Sequence, residues 1–146
     1  MSRANTQWKC PKCGRVEANA IPGARCIEDR QVLVNAQALA QYDDPVLGEI
    51  VAGKYAIVDV LGMGGFGAVY RAVQEPVGRQ VALKLIRSNP DDKLVQGRFF
   101  REARVVATLK DPTVVTLYDY GEDEGVLFAA FELVDGVPLS TILGQG

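Results

Sequence analysis

The chain has 146 residues, of which 48% are hydrophobic and 23% charged, and its formal net charge is −2. This composition is typical of a globular protein and excludes a disordered chain or a nucleic-acid surface built on bulk positive charge. No apolar run approaches the ~20 residues of a membrane-spanning helix, and the N-terminus lacks the apolar core of a signal peptide. We therefore expect a cytoplasmic protein without a membrane segment or a nucleic-acid partner. The sequence contains no histidine, which excludes histidine-based catalysis and histidine metal ligands.

All three cysteines lie in residues 1–30, in a pattern that fits a metal site better than a disulfide framework. Cys10 and Cys13 form a C-x-x-C pair followed by Gly14, and Cys26 comes next. Structural zinc is bound by four ligands. Asp29 stands three positions after Cys26 and so repeats the spacing of the first pair. The segment resembles a zinc ribbon in which the last cysteine is replaced by aspartate, and we predict that these four residues hold zinc.

Alternatives to this zinc site stay open at the level of sequence. Glu28 is a rival fourth ligand, although its spacing from Cys26 is poorer. The segment could instead be a loop with inert thiols that binds no zinc, or a redox C-x-x-C motif. The redox motif is disfavoured because no βαβ pattern surrounds the cysteines.

The rest of the chain divides into a connector and a strand-rich unit. Residues 31–53 include the turn signal Asp43-Asp44-Pro45, and we predict a linker there. Residues 54–146 form the main folded unit. Their apolar runs and alternation predict strands at 55–61, 68–73, 80–87, 114–120 and 126–131, a helix at 93–110 and a short helix at 138–143.

The most informative motif is Leu-Gly-Met-Gly-Gly-Phe-Gly-Ala-Val at residues 61–69, followed by Val-Ala-Leu-Lys at 81–84. Gly62, Gly64 and Gly67 allow a backbone turn to approach a polyphosphate closely, and Lys84 on a nearby strand can reach the same phosphates. Strand alternation places Lys84 on the same face as Ala82, beside which a flat ligand can lie. The alternative is a solvent-facing lysine on an ordinary strand.

A glutamate on the predicted helix supports a role for Lys84 at the phosphates. Glu102 shares one helical stripe with three apolar residues, Phe99, Val106 and Leu109. A carboxylate on an apolar stripe is costly unless it is paired, and Lys84 is the natural partner. Alternatively, Glu102 lies at the edge of the stripe and pairs with a neighbouring arginine, Arg98 or Arg101.

Over about residues 50–144 the chain resembles the small lobe of bacterial eukaryotic-like Ser/Thr protein kinases. The residues that carry the resemblance are 55–57, 61–70, 81–84, 98–104, 117–121 and 131–136. The resemblance implies an α+β fold with a five-stranded antiparallel sheet and one regulatory helix. The expected domains are a zinc-ribbon-like module at 1–30, a linker at 31–53 and a truncated kinase small lobe at 54–146.

The resemblance also implies roles for individual residues. In the family the glycine loop covers the ATP phosphates, a strand lysine contacts the α- and β-phosphates, and a helix glutamate holds that lysine, here Lys84 and Glu102. Phe131 corresponds to the gatekeeper, and backbone groups of Glu132 and Val134, in the hinge that follows it, would bind adenine. Leu61, Val69 and Ala82 would form the apolar roof of the adenine pocket. The implied ATP-binding residues are Leu61, Gly62, Met63, Gly64, Gly65, Phe66, Gly67, Ala68, Val69, Ala82, Lys84, Phe131, Glu132 and Val134.

The motifs of the family's large lobe are missing from these 146 residues. Asp119-Tyr120-Gly121 imitates the magnesium-binding Asp-Phe-Gly motif but precedes the hinge, where the family does not place it. We therefore expect the chain alone to transfer no phosphate, to bind ATP weakly and to self-associate through an exposed apolar lobe face. In a complete kinase the partners would be Mg-ATP and a protein substrate.

Two other functions compete with this interpretation. The chain could be a non-catalytic interaction or regulatory module, which a stop codon directly after Gly146 would favour over a continuing kinase frame. It could also be a dinucleotide-binding βαβ unit that uses Gly62, Gly64 and Gly67. That fold requires a helix at the third glycine, whereas residues 68–73 have the pattern of a strand.

Overall fold

The computed structural model describes residues 6–64, 67–87, 93–108 and 116–133, which form nine strands and two helices. In chain order these are β1 (Trp8–Lys9), β2 (Val16–Glu17), β3 (Val34–Asn35), α1 (Ala36–Tyr42), β4 (Ile50–Val51), β5 (Tyr55–Gly64), β6 (Gly67–Gln74), β7 (Arg79–Arg87), α2 (Lys93–Thr108), β8 (Leu117–Asp123) and β9 (Val126–Glu132). Within these ranges, neither helix has the length and apolar character needed to cross a membrane.

The described strands form two sheets. One has three strands in the order β2-β1-β3, and the other has six in the order β4-β5-β6-β7-β9-β8. The α+β class is as predicted, but the five-stranded count is wrong, because β4 adds a sixth strand. Ile50 and Val51 pair with Ala56 and Tyr55, and a strand of two residues is too short to show alternation in the sequence.

The longer strands follow the predicted positions, and their burial explains their composition. The start of β5 and most of β9 are continuous apolar runs, and their side chains are buried. Strand β8 alternates between half-buried and exposed residues, as expected of the strand at the sheet edge. It continues to Asp123, so the predicted Gly121–Gly125 turn shortens to Glu124 and Gly125. Both of these residues have positive φ, which suits a tight two-residue hairpin.

The predicted helix at 93–110 corresponds to α2. Residues 109–115 lie outside the described part of the chain, and so does the short helix predicted at 138–143.

The chain divides into two compact units. The first comprises Met1–Val60 and Arg71–Gln80, and the second comprises Leu61–Tyr70 and Val81–Gly146. Strands β5, β6 and β7 therefore contribute residues to both units. These units differ from the three-part division expected from sequence, since the first one includes both the cysteine segment and the beginning of β5.

Residues 31–53, for which we predict a linker, contain regular structure. They carry β3, α1 and β4, and Val32, Leu33 and Val34 are buried. Helix α1 begins after Asn35, whose side chain accepts hydrogen bonds from two backbone N–H groups of its first turn. The segment lacks clear periodicity in sequence because its helix has only seven residues.

Candidate functional site

The glycine loop connects β5 to β6, and two of its residues, Gly65 and Phe66, lie outside the described residues. Gly67 has φ of 142°, which favours glycine. A Cβ atom at this position would collide with the carbonyl oxygen of Leu85 in β7. Of the other loop residues, Met63 is exposed, while Leu61 and Gly62 are half-buried and Ala68 is buried. The start of β6 therefore lies directly against the backbone of β7.

Lys84 is buried in the second unit, with only 6% of its surface exposed. It lies on β7 opposite Ala129 of β9, and its Nζ lies 5.7 Å from the centre of the Phe99 ring on α2. An aromatic face stabilises a nearby ammonium group. The lysine is therefore not on a solvent-facing surface of the strand. Glu102 belongs to α2, but its side chain lies outside the described part of the structure.

The apolar residues assigned to the adenine pocket come together in one cluster. Val69 of β6, Ala82 of β7 and Phe131 of β9 are buried in it, and Leu61 packs against it. Ala82 and Phe131 are paired across the two strands. Phe99, Leu127 and Ala129, which we did not assign to the pocket, complete the buried cluster.

The hinge is described only in part. The backbone N–H of Glu132 donates to the carbonyl oxygen of Thr116 at 2.7 Å. The predicted contact with adenine would therefore be a hydrogen bond that the carbonyl oxygen of Glu132 accepts. Val134, the second hinge residue, lies outside the described residues.

The four predicted zinc ligands also come together, in the first unit. One ligand atom from each of Cys10, Cys13, Cys26 and Asp29 lies within 4.8 Å of the others. Cys13 Sγ is 3.6 Å from Cys26 Sγ, and Cys10 Sγ is 3.5 Å from both carboxylate oxygens of Asp29. Zinc bonds of about 2.3 Å to sulfur and 2.0–2.2 Å to oxygen put neighbouring ligands of a tetrahedron about 3.6–3.8 Å apart. The residues present thus fit a tetrahedral metal.

The first cysteine pair is held by a tight turn. The backbone N–H of Gly14 donates to the carbonyl oxygen of Cys10 at 2.9 Å, and the N–H of Cys10 donates to the carbonyl oxygen of Arg15 at 2.8 Å. The N–H of Cys13 lies 3.4 Å from Cys10 Sγ. Gly14 has φ of 84°, so the left-handed conformation falls on a glycine.

The turn after Cys26 repeats this geometry. Arg30 N–H donates to the carbonyl oxygen of Cys26, and Cys26 N–H donates to the carbonyl oxygen of Gln31, both at 2.8 Å. Arg30 has φ of 63° and takes the place of the glycine of the first turn. Asp29 thereby occupies the position that Cys13 has in the first turn, which favours it over Glu28 as the fourth ligand.

Hydrogen bonds and desolvation shift the pKa values of two of these side chains. The backbone N–H of Gln31 donates to Asp29 at 3.0 Å, and this bond, together with those from the thiols, lowers the pKa of the carboxyl group. A backbone hydrogen bond from Arg15 lowers the pKa of Cys13, but desolvation and the neighbouring thiols outweigh it and raise that pKa to about 11. A bound cation deprotonates a thiol ligand, so metal binding here would release protons.

Sequence reasoning missed two buried polar residues of the first unit. Asn35 Nδ2 donates to Asp59 Oδ2 at 3.1 Å, and Arg71 Nε lies 4.0 Å from the same oxygen. One signal was available in the sequence, since Asp59 interrupts an apolar strand, whereas the seven-residue helix that Asn35 caps shows no period.

The family model of the protein kinase domain matches residues 55–146 of the chain. Among curated proteins, the chain is similar to the probable serine/threonine-protein kinase SCO3848 of Streptomyces coelicolor, with 40% identity over 101 residues that cover 66% of this chain and 15% of that protein. It is also similar to the serine/threonine-protein kinase PknA of Mycobacterium tuberculosis, with 36% identity over 106 residues that cover 68% of this chain and 24% of that protein. A further similar protein is the serine/threonine-protein kinase PrkC of Bacillus subtilis, with 34% identity over 96 residues that cover 64% of this chain and 15% of that protein. The matched region spans less than a quarter of the length of each of these relatives.

Proposed function

Because this chain belongs to the protein kinase domain family, we propose that its strand-rich part is the ATP-binding lobe of a Ser/Thr protein kinase. In this role the glycine loop covers the ATP phosphates, Lys84 contacts the α- and β-phosphates, and Glu102 holds Lys84. Together with magnesium, ATP would supply the phosphoryl group that the complete kinase transfers to a protein hydroxyl.

The observation that carries this proposal is the burial of Lys84 on β7. A buried ammonium group loses its hydration, and pairing with a negative charge such as a carboxylate or a phosphate offsets this cost. Lys84 is 6% exposed, on the strand against which Gly67 of the glycine loop packs without room for a side chain. A lysine at this place can meet phosphates that are held by the loop.

The apolar cluster supports an adenine site on the same face. Val69 and Ala82 are each 0% exposed, and Phe131 is 2% exposed. A nucleotide could contact Val69 and Ala82 only after neighbouring side chains of the cluster move, which has a free-energy cost. This supports our expectation that the 146-residue polypeptide binds ATP weakly.

Titration with Mg-ATP tests the phosphate role of Lys84. We expect Lys84→Met to raise the dissociation constant for Mg-ATP at least tenfold, because methionine keeps an apolar chain of similar length but removes the charge. Lys93→Met is the matched control, since Lys93 is an exposed lysine at the start of α2. Equal affinities of wild type and Lys84→Met would remove Lys84 from the site.

We also propose that Cys10, Cys13, Cys26 and Asp29 bind one structural zinc ion. The ligand distances and the two matching turns support this site. Four protein ligands would complete the tetrahedron, so the ion would stabilise the fold and take no part in phosphoryl transfer.

Phosphoryl transfer itself requires residues that these 146 do not include. The sequence has no histidine and hence no His-Arg-Asp loop, and it has no Asp-Phe-Gly motif. We expect no transfer of phosphate from labelled ATP to a generic protein substrate by this polypeptide. On its own it would act as a binding module, and robust transfer would contradict the proposal.

A further inference from the structure

Building on the zinc site proposed above, we infer that metal binding there stabilises strands β5 and β6 of the six-stranded sheet (the kinase-family sheet), and not a separately folded ribbon. The four ligands, residues 55–60 of β5 and residues 71–74 of β6 belong to the same compact unit. The ion would then be a structural part of the ATP-binding lobe.

One buried apolar cluster joins the metal ligands to the two strands. Cys10 and Cys26, which are 0% and 1% exposed, are members of this cluster. The other buried members are Trp8, Val32 and Leu33 from the N-terminal segment, Ala56 and Val58 from β5, and Val73 from β6. Because close-packed side chains tolerate little displacement, a shift of the two cysteines would disturb the packing of the strands.

Gly48 connects both cysteine turns to β5. Its N–H donates to the carbonyl oxygen of Ile57 in β5 at 2.8 Å, and its carbonyl oxygen accepts from Gln31 Nε2 at 2.7 Å. A Cβ atom on Gly48 would lie 2.9 Å from Pro11 Cγ and 2.8 Å from Gln31 Nε2. Pro11 belongs to the first turn and Gln31 to the second, so both turns contact a residue that is hydrogen-bonded to the strand.

The segment before Cys26 lies against β6 in a similar way. A Cβ atom on Gly23 would lie 3.1 Å from Val73 Cγ1, so the backbone is in close contact with this strand. Arg25 Nη2 forms hydrogen bonds of 2.7 and 3.0 Å with the two carboxylate oxygens of Glu75, directly after β6. The second metal-binding turn is thus fixed to β6 by packing and by an ion pair.

A ligand that binds only the folded state stabilises every segment that unfolds together with its site. If the cysteine segment and the two strands form one cooperative unit, removal of zinc will expose backbone amides in β5 and β6. If the cysteine segment folds alone, removal of zinc will expose backbone amides only within that segment.

Hydrogen exchange on the 146-residue chain distinguishes these outcomes. Exchange is measured by mass spectrometry with bound Zn²⁺ and after chelation with EDTA. We expect chelation to accelerate exchange at least tenfold in peptides covering residues 55–60 and 71–75, together with residues 8–35. Cys13→Ser in the presence of Zn²⁺ should show the same pattern. Acceleration confined to residues 8–35 would overturn the inference.

A variant in β6, outside the two metal-binding turns, gives a second test. We expect Val73→Ala to weaken Zn²⁺ binding several-fold in competition with a chromogenic chelator. Val81→Ala is the matched control, since Val81 is also fully buried but belongs to the other unit. Equal Zn²⁺ affinities of wild type and Val73→Ala would contradict the coupling between the zinc site and β6, but not the zinc site itself. If metal analysis finds no zinc on the wild type, the zinc site fails, and the inference fails with it.

Discussion

Asn35 donates a buried hydrogen bond from its Nδ2 to Asp59 Oδ2 in β5 at 3.1 Å. With its Oδ1 it also accepts from the backbone N–H of Gln37 at 2.9 Å and so caps α1. Asn35 and Asp59 are only 8% and 3% exposed. An amide can serve both partners because it carries a donor and an acceptor. This one side chain links the beginning of α1 to the kinase-family sheet.

Removal of this amide should destabilise the protein strongly. We expect Asn35→Ala to lower the free energy of unfolding by roughly 2.5–4 kcal/mol, from about 1 kcal/mol for the helix cap and about 1.5–3 kcal/mol for a hydrogen bond to a charged group. Urea unfolding followed by circular dichroism measures this loss. Asn35→Asp keeps the cap acceptor but removes the donor and places a second carboxyl group beside Asp59. An Asn35→Asp variant as stable as the wild type would contradict the role of the hydrogen bond.

The sequence predicted the strands whose side chains show a clear pattern. The apolar runs of β5 and β9 and the alternation of β7 are long enough to define a strand. The Cys-x-x-Asp spacing also predicted that Asp29 joins the cysteines, as the structure shows. In each case the information is local, because it lies in spacing along the chain.

The elements and contacts that could not be predicted from the sequence depend on tertiary packing. Strand β4 has two residues, and α1 is a single short helix, so neither shows a period. That Trp8 and Cys10 pack with Val58 depends on contacts between residues about fifty positions apart in the chain. The partners of Asp59 could not be identified for the same reason, although a carboxylate in an apolar strand indicates that partners exist.

Metal analysis should find close to one zinc ion per chain. We expect Cys13→Ser to abolish stoichiometric binding, since it removes one of the sulfur ligands. Asp29→Asn should weaken binding by at least tenfold because it removes the negative charge of the ligand. Glu28→Gln is the matched control, because Glu28 is the exposed neighbour of Asp29, and it should bind zinc as the wild type does.

The same site allows a gain of affinity. Asp29 stands where the first turn has Cys13, so Asp29→Cys would complete a set of four cysteines. We expect this variant to bind zinc more tightly than the wild type in competition with a chelator. Weaker binding by Asp29→Cys together with unchanged binding by Asp29→Asn would show that residue 29 is not a ligand.

Arg30 carries backbone strain that glycine would relieve. Its φ of 63° lies in the left-handed region, where the first turn has Gly14. We expect Arg30→Gly to raise the free energy of unfolding by up to about 1 kcal/mol with saturating Zn²⁺, since relief of strain exceeds the entropic cost of glycine. Arg30→Ala removes the same exposed side chain but keeps the strain, so it should bring no gain. If Arg30→Gly is less stable than Arg30→Ala, the strain is not significant.

Two glycine-to-alanine substitutions should change stability in opposite directions. Gly97 lies in the exposed part of α2, where an added Cβ meets no atom within 4 Å, and Gly97→Ala should raise the free energy of unfolding by about 1 kcal/mol through helix propensity. At Gly67 an added Cβ would meet the Leu85 carbonyl oxygen and the φ of 142° is unfavourable, so Gly67→Ala should cost about 2 kcal/mol or more. The start of β6 would have to move away from β7, which should also weaken Mg-ATP binding. Urea unfolding and ATP titration of both variants provide the measurement, and a Gly67→Ala variant that keeps wild-type stability and affinity would contradict the close approach of the loop to β7.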